Sequence, residues 1–365
     1  MTLSLSFDPK QWRSLTAKQR YQLIEQILIR HQRFNTLTAE IDYCGFFANE
    51  LSTSNPPCIV ILGETGAGKT TLIQTWIAST GLTRQETPEG SIIPYLYVFV
   101  PAQATIKATA SVFLETLGDP NAGRGTQWNM VGRLKKLIKE CKVRIIFVDE
   151  FQHIVDKDTH HVLHAVADFL KDLINQTNVP MVLIGRIGEA ERILTVNPQL
   201  DRRVGSPLIL EPFAWDRQQA TTTILEFRTL MEHIDQALPF DPSGLGEEDM
   251  AYRFFYATNG YLGHIIEIIR RAARDAIKAE CATLTLPLLA TAYDARIART
   301  AMGIGKVNPF TASFTEASAP KVIPAPERTQ LPARSGERAT TRRGPSVKNG
   351  NAKNPKRVSD VLRKA

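Results

Sequence analysis

Ile59-Val60-Ile61-Leu62-Gly63-Glu64-Thr65-Gly66-Ala67-Gly68-Lys69-Thr70-Thr71 joins a short apolar run to a glycine-rich turn and the opening of a helix. From Gly63 to Thr70 every fixed position of G-x-x-x-x-G-K-[ST] is filled, the pattern of a nucleotide-phosphate loop. The residue types follow from what such a loop must do. Gly63, Gly66 and Gly68 permit positive φ, so that backbone N–H groups turn inward and form an anion nest. The helix opening at Lys69 adds the positive end of its dipole. Lys69 is expected to reach the β- and γ-phosphates of a nucleoside triphosphate, and the Thr70 hydroxyl to ligate Mg2+. Glu64, Thr65, Ala67 and Thr71 complete the cradle.

Such a loop belongs on a parallel sheet covered on both faces, and the sequence on either side alternates strands with helices accordingly. Five runs read as strands: 59–62, 95–100, 143–148, 181–185 and 207–210. The third ends Ile145-Ile146-Phe147-Val148-Asp149-Glu150, a Walker B. Its apolar run buries the strand, and its C-terminal end brings Asp149 to the side where parallel sheets bind their ligands. Asp149 is expected to hold Mg2+ through the ion's water shell, and Glu150 to orient and polarise the attacking water. The fourth strand ends at Gly185, so Arg186 occupies a position from which a side chain meets the γ-phosphate or the lytic water. Residues 81–91 read as a polar loop. His160, His161 and His164 share helix-face spacings, but no Cys or acidic partner completes a metal set, and they read as a solvated face.

Around this α/β domain (58–213) the chain divides into three further segments. Residues 1–57 form a helical segment, with helices over 14–34 and 39–51 that either lie beside the adenine or simply pack on the sheet. Residues 214–305 are helical without a strand candidate and read as a small all-α lid. Past Lys306 the composition turns to Pro, Ser, Thr, Arg and Lys, a disordered basic tail. Within it, 358–364 has the spacing of a short helix that folds on a partner or frays.

The net charge of +7 is unevenly placed. Residues 306–365 hold 13 Lys/Arg and 4 Asp/Glu, which leaves 31 and 33 of the total 44 and 37 for residues 1–305. The basicity is therefore a property of the tail, which suits acidic partners, nucleic acid first, or serves only solubility. The 4 cysteines lie far apart and suggest neither a zinc site nor a disulfide framework. No signal sequence or long apolar stretch stands out, so no membrane and a cytoplasmic setting are expected.

Five strands, a Walker B ending in Asp-Glu, an arginine pair ahead of the last strand and a helical lid together resemble an AAA+ ATPase. Within that superfamily the chain resembles the TniB/TnsC family, DNA-binding regulators of Tn-type transposons related to the bacteriophage MuB protein. The stretches that carry this are Gly63–Thr70, Ile146-Phe-Val-Asp-Glu-Phe-Gln-His153, Leu183-Ile-Gly-Arg-Ile-Gly-Glu-Ala190, Leu200-Asp-Arg-Arg203 and Ala257-Thr-Asn-Gly-Tyr-Leu-Gly263. The resemblance implies an ATPase, slow and regulatory, that oligomerises on duplex DNA as a filament or ring with a hexamer or heptamer per turn. It implies sequence-neutral contacts to the DNA backbone, and a transposase and a target-selection protein as partners.

By matching position, Arg202 or Arg203 would be the finger that reaches a neighbour's γ-phosphate, or else a solvated basic turn. Lys107 and Thr126 match positions that face the DNA backbone, and Arg124 joins them by its charge. Two positions depart from the pattern: the strand-end sensor, often Thr or Asn, is Arg186, and the lid position that often carries a sensor arginine is His264. Each implies slow hydrolysis or a different nucleotide response. A rival reading is an AAA+/STAND-type switch or scaffold acting on protein partners without DNA. A clamp-loader or initiator-like enzyme is a further rival, weakened by the lack of a winged-helix reader.

Overall fold

The structure is a computed structural model that describes residues 9–50, 56–88, 90–102, 104–154, 160–195 and 198–318. Its strands are β1 (Cys58–Leu62), β2 (Gln85–Thr87), β3 (Gly90–Ile92), β4 (Tyr95–Phe99), β5 (Ile145–Asp149), β6 (Met181–Gly185) and β7 (Leu208–Ile209). Five of them form one parallel sheet in the order β4-β5-β6-β1-β7, the five expected from the sequence with small shifts at their ends. Successive residues of the four longer strands of this sheet serve opposite cores. Ile146 and Val148 of β5 enter one, while Ile145 and Phe147 enter the other. With both faces covered, an unbroken apolar run is the pattern these strands require.

Three helices cover the first face: α4 (Ile106–Leu117), α5 (Gln127–Glu140) and α6 (His160–Thr177). The second is covered by α2 (Gln32–Glu50) and α3 (Lys69–Thr80), where the Trp76 ring meets Phe147 at a centroid distance of 5.3 Å. Two short helices, α7 (Glu189–Thr195) and α8 (Pro198–Val204), lead to β7. β2 and β3 pair as a small antiparallel hairpin where the sequence reads as a loop. Their side chains carry no apolar alternation, and polar links such as that from Thr87 Oγ1 to Gly90 O at 2.8 Å join them instead.

The lid consists of α9 (Thr223–Ala237), α10 (Glu248–Thr258), α11 (Leu262–Lys278) and α12 (Leu286–Arg296) around its own core, which includes Phe227, Phe254, Ile268 and Tyr293. The turn between α10 and α11 locks onto the chain leaving the sheet. Phe213 N–H donates to Gly260 O at 3.0 Å, and a β-carbon on Gly260, at φ 75°, would fall 1.9 Å from Phe213 O. Only glycine fits there.

Two expectations need correction. The helix expected over 14–34 ends as α1 (Ala17–Glu25), and the chain runs irregularly to α2. Leu23 and Ile24 of α1 are buried near the lid, with Ile24 in its core, whereas Phe34, Leu37 and Ile41 of α2 serve the sheet. One straight helix cannot bury its face against two separate bodies, so it breaks between them. The tail also starts later than Lys306. Phe310 and Phe314 are buried against the lid, and the enclosed Arg253 guanidinium donates to the carbonyls of Pro309, Thr311 and Phe314 at 2.6, 2.6 and 2.7 Å. Lys306 Nζ donates to Tyr256 O at 2.6 Å and to Asn259 Oδ1 at 2.7 Å, and burial pushes its pKa down to about 8. Residues 306–318 are thus a strap on the lid. The stretch expected to be disordered, from 319 onward, lies outside the described residues, as does the short helix expected at 358–364.

Candidate active site

The phosphate loop hangs between the end of β1 and the start of α3, and its conformation is the one its glycines foretell. Gly66 and Gly68 have φ of 83° and 101°, and Gly63 N–H is anchored to Gly185 O at 3.2 Å. Lys69 is almost fully enclosed, its ammonium donating to Gly63 O at 2.7 Å and Glu64 O at 3.1 Å. Burial lowers its pKa, opposed by Glu150, Asp149 and Glu64 nearby. Thr65 and Thr71 are exposed on the loop, and Ala67 is buried beneath it.

The Walker B strand delivers a wholly buried Asp149 to the same place. Its Oδ2 accepts from Thr70 Oγ1 at 3.0 Å and from the Tyr97 hydroxyl at 2.6 Å, while Oδ1 accepts from Glu150 N–H at 2.9 Å. Burial, and next the hydrogen bond to Asp149, push the Tyr97 pKa upward. Tyr97 is thereby fixed as a neutral donor. Two hard oxygens 3.0 Å apart, on Thr70 and Asp149, fit a small divalent cation. Among the described residues no cluster of three His, Cys, Asp or Glu could hold a metal alone. The pair therefore suits a Mg2+ whose remaining ligands are water and phosphate. Glu150 stands beyond Asp149 at φ 55°, its carboxylate accepting from Gln152 Nε2.

Arg186 sits where β6 ends, its guanidinium 3.8 Å from Glu64 and 3.2 Å from Glu189. The lid meets the loop directly: Gly263 N–H donates to Gly66 O at 2.9 Å, and the His264 ring lies where a β-carbon on Gly66 would come within 3.3 Å of Nε2. Beside Ala67, Gly68 and Thr71 opens a cavity of about 150 Å³ lined by Ile27, Ile29, His31, Leu210, Leu262 and Ile266. Its apolar walls suit a flat base next to a phosphate loop. A larger hollow of about 550 Å³ lies on the lid beside Trp12. Its carboxylates, Glu232, Asp235, Asp241 and Glu247, would repel a triphosphate.

The structure separates the arginine pair. Arg202 is exposed, whereas Arg203 is half-buried with Nη1 enclosed and unpartnered, close enough to Cys58 at the start of β1 to act on its thiol. Lys107, Arg124 and Thr126 are exposed near the starts of α4 and α5, with Thr126 capping α5 by accepting from Asn129 N–H at 3.3 Å. Next to them stands Trp128, 85% exposed, which shares a shallow groove with Ile106 and Val131. Sequence reading passed over it, although a tryptophan between Gln127 and Asn129 at a helix start has no apolar periodicity to explain it. Tyr97 and Gln152 were also missed, whereas the cavity residues 27–31 fall in the segment expected beside the adenine or packed on the sheet. Tyr97 lay inside an apolar strand, and the pocket residues lay inside an expected helix.

The sequence profile of the family described as bacterial TniB protein matches residues 20–213, just over half of the chain. No curated protein matches it in sequence. Among solved structures, Cdc6p from Pyrobaculum aerophilum superposes with a TM-score of 0.52 at 13% identity, over 76% of this chain and 71% of that one. The ORC2 protein of Aeropyrum pernix, in its ADPNP–ADP complexes, gives 0.50 at 14% identity, over 76% and 72%. At these identities the likeness is one of fold, the AAA+ arrangement of a five-stranded parallel sheet with a helical lid. No helix among the described residues is long and apolar enough to cross a membrane.

Proposed function

The chain belongs to the TniB family, and from that premise we propose that it is an ATP-dependent DNA-binding regulator of transposition, whose nucleotide joins one protomer to the next. The observation that carries the reading is the convergence of Lys69, Thr70 and Asp149 on one loop, with Glu150 directly beyond. ATP lies with its base in the cavity beside His31 and its phosphates over Gly63 to Thr71. Thr70 and Asp149 would hold a Mg2+, which would supply charge compensation for the phosphates. Glu150 takes a proton from the water that attacks the γ-phosphorus as the bond to ADP breaks, and phosphate and ADP leave.

Arg202, the exposed member of the pair, reaches the γ-phosphate of the neighbouring copy. Only the triphosphate state gives that guanidinium an anion to pair with, so ATP favours the oligomer and hydrolysis loosens it. Lys107, Arg124 and Thr126, with Trp128 beside them, lie along the DNA backbone. Contacts to phosphate carry little sequence information, so binding is sequence-neutral and weakens with salt. The assembly marks a site for a transposase, with a target-selection protein directing it.

The test is electron microscopy and co-sedimentation with duplex DNA, with and without a non-hydrolysable ATP analogue, on the wild type and Lys69→Ala. ATP-dependent filaments or rings on DNA that Lys69→Ala abolishes are the expected result. Equal DNA binding without nucleotide, or nucleotide-driven assembly indifferent to DNA, refutes the proposal.

A further inference from the structure

Glu150 is held by a residue that the nucleotide motifs do not point to. It turns at φ 55°, a left-handed conformation uncommon for glutamate, where β5 passes into the short 3₁₀ segment Phe151–Ile154. Its Oε2 accepts a hydrogen bond from Gln152 Nε2 at 2.5 Å, while the His153 ring stands off at 4.0 Å. The other end of the same amide is engaged as well, because Gln152 Oε1 accepts from the Arg186 backbone N–H at 3.3 Å. A donor on one side and a carboxylate on the other permit one orientation of the amide only.

Gln152 is buried, at 6% exposure, and lodges against Gly185. A β-carbon on that glycine would come within 2.7 Å of Gln152 Oε1 and 2.9 Å of the Phe151 ring. The glycine that ends β6 is therefore the space the amide needs. Arg186, whose N–H fixes the amide, sends its guanidinium to Glu64 of the phosphate loop at 3.8 Å. Glu64, Arg186, Gln152 and Glu150 form one continuous polar chain from the loop to the carboxylate.

We infer that Gln152 is a positioning residue for hydrolysis: it holds the Glu150 carboxylate by Oε2 so that Oε1 faces the attacking water, and ties it to the strand end that bears Arg186. The inference rests on the reading of this site as an ATPase site. Water adds to the γ-phosphorus, its proton passes to Oε1, and the bond to the ADP oxygen breaks. Gln152 touches none of the reacting atoms. Without it the half-buried Glu150 carboxylate loses its nearest partner and is free to rotate, and a displacement of about 1 Å costs up to roughly 100-fold in rate.

The experiment compares full-length wild type with Gln152→Leu, which keeps the volume but removes both hydrogen bonds. It measures steady-state ATP turnover, equilibrium binding of a fluorescent ATP analogue and thermal melting. The expected split is a kcat lower by about 10- to 100-fold with analogue affinity within about twofold. Glu150→Gln should show the same split, and the double variant with Gln152→Leu should fall no further than Glu150→Gln alone, because both changes act on one carboxylate. A folded Gln152→Leu protein with wild-type kcat overturns the inference, as does a kcat loss matched by an equal loss of affinity. A wild type that binds the analogue but does not turn over ATP overturns the ATPase reading itself, and the inference with it.

Discussion

Gly263→Ala tests whether the lid grips the phosphate loop. A β-carbon at 263 would stand 2.6 Å from Gly66 O and 3.0 Å from Gly66 Cα, where ordinary contact begins at 3.4 Å. The closed arrangement must therefore open by roughly 0.8 Å, the difference between 2.6 and 3.4 Å. Both parties are backbone, so neither can rotate aside. Overpacking of this kind costs about 1–3 kcal/mol. The hydrogen bond from Gly263 N–H to Gly66 O, 2.9 Å long, is strained at the same time and contributes about 1 kcal/mol more. Without nucleotide the lid can relieve the clash by swinging away, so the cost falls on the closed, nucleotide-holding form. At about 1.4 kcal/mol per tenfold, a loss of roughly 2–4 kcal/mol predicts an ATP affinity lower by some 30- to 1000-fold. Isothermal titration with a non-hydrolysable analogue measures it directly, and melting of the nucleotide-free protein should change little. An affinity within twofold of wild type would show that the lid does not bear on the loop when nucleotide is bound.

Acid should loosen the base pocket. Burial first, and then Arg33, holds the His31 pKa below its ordinary 6.5. The unfolded chain therefore takes up the proton first, so stability is level above pH 6.5 and falls as pH drops from there toward the native pKa. The melting temperature should decline below pH 6.5, and His31→Phe should flatten the decline; an equal slope in that variant refutes the assignment. The arginine pair should part company: Arg202→Ala loses oligomer-dependent ATPase activity at an unchanged melting temperature, while Arg203→Ala lowers the melting temperature. The reverse pattern would reassign them. Truncation after residue 318 should leave melting unaltered, whereas truncation after 305 removes Phe310 and Phe314 from the lid and costs about 3–5 kcal/mol for each ring. Matching melting curves for the two truncations would dismiss the strap.

Features legible in the sequence are those that a local pattern imposes. A strand buried on both faces must be apolar throughout, so Ile145 to Val148 announced itself, and a phosphate loop must carry glycines where φ is positive. What was illegible depends on partners distant in the chain. Nothing in Tyr95–Phe99 marks Tyr97 as the residue that turns its hydroxyl to Asp149, and nothing near Leu23 tells that its helix must stop because the next apolar face belongs to another body. Arg202 and Arg203 are chemically identical neighbours, distinguished only by which of them α8 turns inward. The strap left a trace: Phe310 and Phe314 are isolated aromatics in polar, proline-rich surroundings, a pairing that a disordered tail has no use for.

The lid and the α1 packed on it are joined to the sheet domain by two covalent connections, residues 26–31 and the stretch from Glu211 to Asp216. Arg33 bridges both, donating to Pro212 O at 2.9 Å and to Glu226 at 2.8 Å. A body hung from one point may swivel in any direction; one hung from two can only swing about the line through them. The base cavity opens beside the first of these pivots. A group wedged there would act on the axis itself, and the strap is tied to the other end of that axis, since Glu316 accepts from Trp215 Nε1 at 3.3 Å.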